Sequence, residues 1–325
     1  MPLRRVPWRY VQQYALASLE RRFLRNIEGA TAYLWSELSV ELARELHLRG
    51  IRVVREKFNC HKAYARAILD RVYSKLGVPA PHGITDERIA KEREELQLAD
   101  FVFSPSPCVR ASLIAEGVSP AKILDSSYGW SPTRFAHAAP SLSPCDGVTV
   151  LFAGAICVRK GAHILLDAWS RARVRGRLVL VGQMEPTIAE VCRETLLRED
   201  VVVVPFTPNV GGVFKSADYF VFPSLEEGSP LVTYEACSVG LPAIVTDMGA
   251  GGVVRNGIEG IQVESGDVES LADAIHRLAE SEDLRRDYGS AATQRAREFT
   301  WDRVGSARRE ALLAQLATPK QPARV

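Results

Sequence analysis

The chain has 325 residues, about twice the ~150 of an average domain, and 46% of them are hydrophobic and 25% charged, which excludes disorder and collagen-like repeats. Lys plus Arg number 41 against 39 for Asp plus Glu, so the net charge of +2 gives no general reason to expect a nucleic-acid partner. Six cysteines without a C-x-x-C pair argue against a zinc site and a disulfide framework, the start MPLRRVPWRY lacks an apolar signal core, and no apolar run approaches membrane-span length, so the expected location is the cytoplasm.

In chain order, only helix is visible before residue 29. This stretch is basic and aromatic: Arg4, Arg5, Arg9, Arg21, Arg22 and Arg25 are interleaved with Trp8, Tyr10, Tyr14 and Phe23. Two readings stay open, an interfacial helix on anionic lipid and a solvated helix packed by one face on its domain. Strands are expected at Ala30 to Leu34 and Ile51 to Arg55, flanking a helix from Glu37 to Leu48, with a third strand at Phe101 to Ser104. A complete doubly wound domain needs more strands than these, so the N-terminal domain, residues 1–130, is expected to be incomplete at its start. The polar, turn-rich segment 131–147 reads as a linker.

From Val148 the pattern becomes regular. Short runs apolar on both faces, at Val148 to Ala153, Leu178 to Val181, Val201 to Val204, Tyr219 to Phe222, Ala243 to Thr246 and Gly260 to Val263, predict a buried parallel sheet. Between them Ile164, Leu165, Ala168 and Trp169, and later Leu271, Ala272, Ile275 and Leu278, recur at helical spacing. An α/β doubly wound domain over 148–296 follows, with a C-terminal helix and tail over 297–325 expected to return toward the first domain.

The chemistry concentrates in two loops. In FPSLEEGSPLVTYEACSVGLPAIVTD, Phe222 to Asp247, a strand gives way to a Pro-Ser-Gly loop and a helix expected to start near Pro230, with Ser229 as its cap. The free amides of Ser229, Pro230's successor Leu231, and Val232 would form an anion site at the sheet's carboxyl edge. Glu235, one or two turns in, suits a vicinal diol such as a ribose, whose two hydroxyls match its two oxygens; as a plain helix-start carboxylate it would only complement the dipole. In FAGAICVRKG, Phe152 to Gly161, Lys160 and Arg159 could meet diphosphate charge, against the plain alternative of surface cations. Glu226 beside Glu227 is read as solvated loop. The glycines Gly249, Gly251 and Gly252 are read as a donor-contacting loop or a turn, and His163 and His276 as structural.

These residues resemble the family 4 glycosyltransferases of the GT-B class over roughly residues 95 to 316. The resemblance is carried by Glu227 and Glu235 with seven residues between, inside P-S-x-x-E-G-S-P-L-V-x-x-E-A-x-x-x-G-x-P, and by Gly154 with Lys160-Gly161, Ala99-Asp100 to Pro105-Ser106, and YGWSPTRF where the family has G-x-D-x-x-x-F. It implies two facing Rossmann-like domains and transfer of a sugar, with retention, from a nucleoside-diphosphate sugar to a glycan or lipid-linked acceptor. No cofactor and no metal are expected. Carried over, Glu235 would bind the ribose, Glu227 the donor sugar, the segment after Gly228 (Ser229, Pro230, Leu231, Val232), through its amides other than at Pro230, the diphosphate side, Lys160 the leaving phosphates, and Val204 and Pro205, with Phe206, the base. The family's arginine after Gly154 is Ala155 here, which leaves Arg159 to substitute. The family's opening strand and glycine-rich acceptor loop have no counterpart, so the alternative is a nucleotide-sugar-binding module without transfer. In REKFNCHK, Glu56, Asn59 and His61 follow the strand Ile51 to Arg55 as acceptor-side candidates, with His61 as the one the resemblance places nearest the active site.

Overall fold

In the computed structural model the described residues are 8–35 and 39–317, with side chains described from residue 14. The expected helix start at Glu37, and Arg4, Arg5, Trp8, Arg9 and Tyr10 as side chains, lie outside them.

Two parallel sheets form the frame. The chain begins with α1 (Trp8–Asn26), β1 (Thr31–Leu34), α2 (Val40–Leu48), β2 (Arg52–Glu56), α3 (Lys62–Lys75), α4 (Asp86–Leu98), β3 (Phe101–Ser104), α5 (Pro107–Ala115) and β4 (Ile123–Asp125). These four strands pair in parallel in sequence order, β1-β2-β3-β4. The three-residue β4 is absent from the sequence expectation, being too short for a periodic signal.

After the linker come β5 (Val148–Ala153), α6 (Ala162–Ala172), β6 (Gly176–Val181), α7 (Pro186–Val191), α8 (Arg193–Leu196), β7 (Val201–Val204), α9 (Val210–Phe214) and β8 (Tyr219–Phe222). Then follow α10 (Leu231–Ser238), β9 (Ala243–Val245), α11 (Asp247–Ala250), β10 (Gly260–Gln262), α12 (Val268–Glu280), α13 (Glu282–Ala296) and α14 (Trp301–Leu316). All pairs in this sheet are parallel, in the order β10-β9-β8-β5-β6-β7. The order reverses between β5 and β8, and a crevice opens at the carboxyl ends of strands at such a reversal. Every residue of β5 and β8 is buried, as the unbroken apolar runs predict. Thr246 leaves its expected strand and caps α11 instead, its hydroxyl accepting from the Gly249 amide at 3.1 Å.

The apolar interior differs between the halves. In the second, Phe152, Trp169, Phe214, Phe220, Phe222 and Tyr234 belong to one large cluster, with Phe152 and Phe222 rings stacked at 5.5 Å. The first is divided among smaller clusters around Val102 and Leu113, Leu46 and Val53, and Val54 and Phe103. The 131–147 segment lies on the second domain, where Phe135 stacks on Phe214 at 5.5 Å and the Ser141 amide donates to Ser216 Oγ at 2.8 Å. The chain then crosses back: Trp130 Nε1 donates to the Ala296 carbonyl at 2.7 Å, Arg52 Nη1 donates to the Leu316 carbonyl at 2.9 Å, and Arg308 of α14 pairs with buried Glu56.

Candidate active site

The loops after β5 and β8 meet at the strand-order reversal. After β5 the backbone turns through Gly154 (φ 130°) into a 3-10 turn, Val158–Lys160, before α6. A side chain at Gly154 would be strained, and its Cβ would lie 3.2 Å from Lys160 Nζ. The glycine therefore leaves room for the ammonium, which sits 5.0 Å from the Phe222 ring centroid.

Arg159 and Lys160 both turn toward one carboxylate. Glu227 Oε2 is 3.2 Å from Arg159 Nη1 and 3.3 Å from Lys160 Nζ, yet makes no well-directed hydrogen bond to either. Arg159 Nη1 also donates to the Glu226 carbonyl at 2.9 Å and lies 3.3 Å from Glu226 Oε2. Burial pulls the Arg159 guanidinium down, but Glu227 and Glu226 together hold it above its ordinary value. Burial also pushes the Glu226 carboxyl up, against the pull of Arg159. Glu226, read from sequence as solvated, is buried, and its Oε1 has no partner.

Gly228 explains how closely the domains approach. A Cβ there would lie 1.5 Å from the Phe58 carbonyl oxygen, so the backbone of the first domain rests directly on this loop. Beside it, Cys60 Sγ lies 3.5 Å from the Glu227 carbonyl and 3.9 Å from Met248 Sδ.

The helix start is nearly as expected, with one correction. α10 begins at Leu231 with Pro230 at the cap position and no side-chain cap bond; Ser229 Oγ pairs with the Tyr234 hydroxyl at 2.9 Å instead. The first amides of the helix, including Leu231 and Val232, have no intrahelical acceptor; Leu231 is exposed and Val232 half-buried, while residues 233–237 are buried. Glu235 is buried in α10, and its Oε1 lies 2.8 Å from Arg134 Nε of the linker as an ion pair. Burial pushes the Glu235 carboxyl up while Arg134 opposes the shift. Gly249 and Gly251 stand behind α10, where their carbonyls accept from the Thr233 and Tyr234 hydroxyls. Val204 is half-buried at the end of β7, Pro205 is exposed, and Phe206 is 81% exposed.

His61 is fully buried at the start of α3, its Nδ1 accepting from the Ala63 amide at 3.2 Å, and its ring faces Glu92 Oε2 at 3.5 Å and Glu116 Oε2 at 3.7 Å. Burial lowers its pKa. His163 is half-buried, lowered by burial to about 4, and His276 is exposed. Against the donor loop lies a cavity of about 650 Å³ between the domains, bordered by Arg159 and Glu226 on one side and by Lys57, Asn59, Lys62 and Glu92 on the other. Sequence reading found Asn59 and His61 in this region but not the α4 residues, which no local motif marks.

Residues 147–281 match the family described as "Glycosyl transferases group 1". A D-inositol 3-phosphate glycosyltransferase of Streptomyces griseus is 30% identical over 214 residues, covering 60% of this chain and 45% of the relative. One of Rhodococcus erythropolis is 27% identical over 224 residues, covering 58% and 50%. The chain thus spans about half the length of the curated relatives it matches. Among solved structures, Anabaena HepE in complex with UDP superposes with a TM-score of 0.70 at 16% identity, covering 93% of this chain and 82% of that one. Sucrose-phosphate synthase from Thermosynechococcus elongatus gives 0.72 at 21%, covering 98% and 81%. The architecture is that of the GT-B class, two Rossmann-like domains with parallel sheets of four and six strands. The likeness to glycosyl transferases in sequence is carried mainly by the second domain, residues 147–281.

Proposed function

We propose that the protein is a retaining glycosyltransferase that moves a sugar, a hexose in the first instance, from a nucleoside-diphosphate sugar to a glycan or lipid-linked acceptor without a metal or other cofactor. The observation that carries this reading is the convergence of Arg159 and Lys160 on Glu227 at the sheet reversal, with Glu235 eight residues further on at the same edge. Two cations gathered on one buried carboxylate suit an anionic ligand that would take them over. The ribose would lie on Glu235, the diphosphate would face Lys160, Arg159 and the open amides of α10, and the donor sugar would face Glu227. As the sugar–phosphate bond breaks, negative charge grows on the phosphate oxygens, so cations already fixed there favour the transition state over the ground state. Front-face attack needs no protein nucleophile and would give retention. The structural relatives solved with UDP and with UDP-glucose support a uridine donor as the first candidate.

The six cysteines are all free thiols, consistent with a reducing, cytoplasmic setting. None of the described helices is long and apolar enough to cross a membrane. Peripheral contact through α1 is part of the proposal, because this helix exposes Tyr14, Leu19 and Phe23 beside Arg21, Arg22 and Arg25.

The deciding experiment incubates the protein with UDP-, GDP- and ADP-sugars in the presence of a chelator, follows nucleoside diphosphate release, and reads the product anomer by NMR. Turnover with retained configuration is expected. Tight donor binding with no turnover on any acceptor would favour a binding module, and no binding would end the nucleotide reading.

A further inference from the structure

We propose that the cavity beside the donor loop holds the phosphate or diphosphate group of an anionic acceptor, through Arg55, Lys57, Lys62, Arg88 and Lys91. The inference rests on the glycosyltransferase reading and adds the chemistry of the acceptor to it. Among the described residues, five cations line the first-domain side of this cavity, and they share two carboxylates, Glu92 and Glu95. Glu92 serves Lys57 and, at 3.2 Å, Lys62; Glu95 serves Arg55 at 2.7 Å and Lys91 at a loose 3.7 Å. Arg88 has no carboxylate partner among the described residues, its Nη1 donating to the Gly83 carbonyl at 3.1 Å. The cavity's other two carboxylates are engaged elsewhere, Glu56 with Arg308 and Glu226 with Arg159. Five positive charges against two negative ones leave three uncompensated on one wall, about what a phosphate or diphosphate carries.

A second observation is independent of the charge count. Arg55 has a side chain 5% exposed, yet its Nη1 has no hydrogen-bond partner. A buried guanidinium with an unused donor is costly, and an anion in the cavity could satisfy it as the domains move. Burial pulls both Arg55 and Lys57 below their ordinary values, and an added anion would oppose that shift. The wall also faces the chemistry, because Arg159 borders the cavity and reaches Glu227. The same chemistry could come from a soluble sugar phosphate or from a lipid-linked phosphate.

The test uses the full chain saturated with UDP, or with GDP or ADP if one of these binds more tightly, so that the donor-side cations are occupied. Glucose 1-phosphate and glucose are titrated by calorimetry, and phosphatidylcholine vesicles with and without polyprenyl phosphate are tested by flotation. The variant is the double substitution Arg88→Gln, Lys91→Gln, at solvent-side positions where folding is retained. A phosphorylated probe is expected to bind where glucose and plain vesicles do not, and to lose roughly tenfold in affinity in the variant while nucleotide affinity stays unchanged. Glucose 1-phosphate binding identifies a soluble acceptor, and vesicle binding a lipid-linked one. Absence of binding by both phosphorylated probes, or equal binding to wild type and variant, overturns the proposal. If no nucleotide binds, the donor reading fails separately, and the same titrations on the free protein still decide this one.

Discussion

Arg134, in the segment joining the domains, forms an ion pair with Glu235, its Nε 2.8 Å from Oε1, so the carboxylate proposed for the ribose is already paired with the linker. A carboxylate oxygen has two lone pairs, so Oε1 can keep Arg134 and still accept a hydroxyl. Arg134→Ala should weaken UDP binding about tenfold, and Glu235→Ala by roughly 1.5–3 kcal/mol, the scale for hydrogen bonds to charged groups. Calorimetry with UDP and 2′-deoxy-UDP separates the roles: both variants should lose most of the preference for the ribonucleotide. Unchanged discrimination would remove the pair from the ribose.

The same pair sets a pH dependence. Glu235 must be ionised to accept from two hydroxyls, burial raises its pKa, and Arg134 opposes that rise. Donor affinity should therefore fall as pH drops through the raised value. In Arg134→Ala the fall should begin at higher pH. A binding profile flat from pH 8 to 5 in both proteins would contradict this sign.

Lys160→Ala should lower kcat more than donor affinity, since diphosphate charge grows as the bond breaks. Gly154→Ala should mimic it in part, because the new Cβ would come 3.2 Å from the ammonium at a backbone φ of 130°. The strain should cost about 1–3 kcal/mol in unfolding free energy. An effect on KM alone would argue against Lys160 as a cation for the leaving group.

The donor side was legible because its chemistry is local: Glu227, Gly228, Pro230 and Glu235 sit in one strand-loop-helix, and Lys160 follows Gly154 by six residues. Ser229 misled because its hydroxyl pairs with the Tyr234 hydroxyl five residues on, which the Gly251 carbonyl holds in place, in preference to capping the helix. Arg134 carried a usable signal, its place directly before Phe135 in the linker pattern, but nothing local told that it would meet Glu235. On the acceptor side, Glu56 and Arg308 are far apart in sequence, as are Lys57 and Glu92, and such pairs leave no periodic trace. His61 is marked in sequence by its position after a strand, while its contacts with Glu92 and Glu116 join residues far apart in the chain and leave no local trace.

Gly228→Ala should force the domains apart, because its Cβ would sit 1.5 Å from the Phe58 carbonyl. Backbone cannot yield there as a flexible side chain could. Small-angle scattering should show a larger radius of gyration, and turnover should fall even if donor affinity is kept. An unchanged scattering profile would mean that the closed contact is not the main state in solution.

The last relationship concerns how the first domain is held. Glu56 is fully buried at the end of β2, and Arg308 of α14 supplies its positive partner while donating to the Tyr33 hydroxyl at 2.8 Å. Arg308 lies over the Phe103 ring at 4.5 Å, so the C-terminal helix pins β2 and β3 together. Arg308→Ala would leave a buried carboxylate without its cation, and removing one partner of a buried pair costs about 3–5 kcal/mol. The loss should fall on the first domain, whose interior is split among small clusters, and spare the second, with its single large one. Hydrogen exchange should show faster opening in residues 39–125 than in 148–296 already in the wild type, with the gap widening in Arg308→Ala and narrowing in Arg308→Lys relative to Ala. Equal protection of both regions in the variant would show that Glu56 finds its compensation elsewhere and that α14 is not what holds the first domain closed.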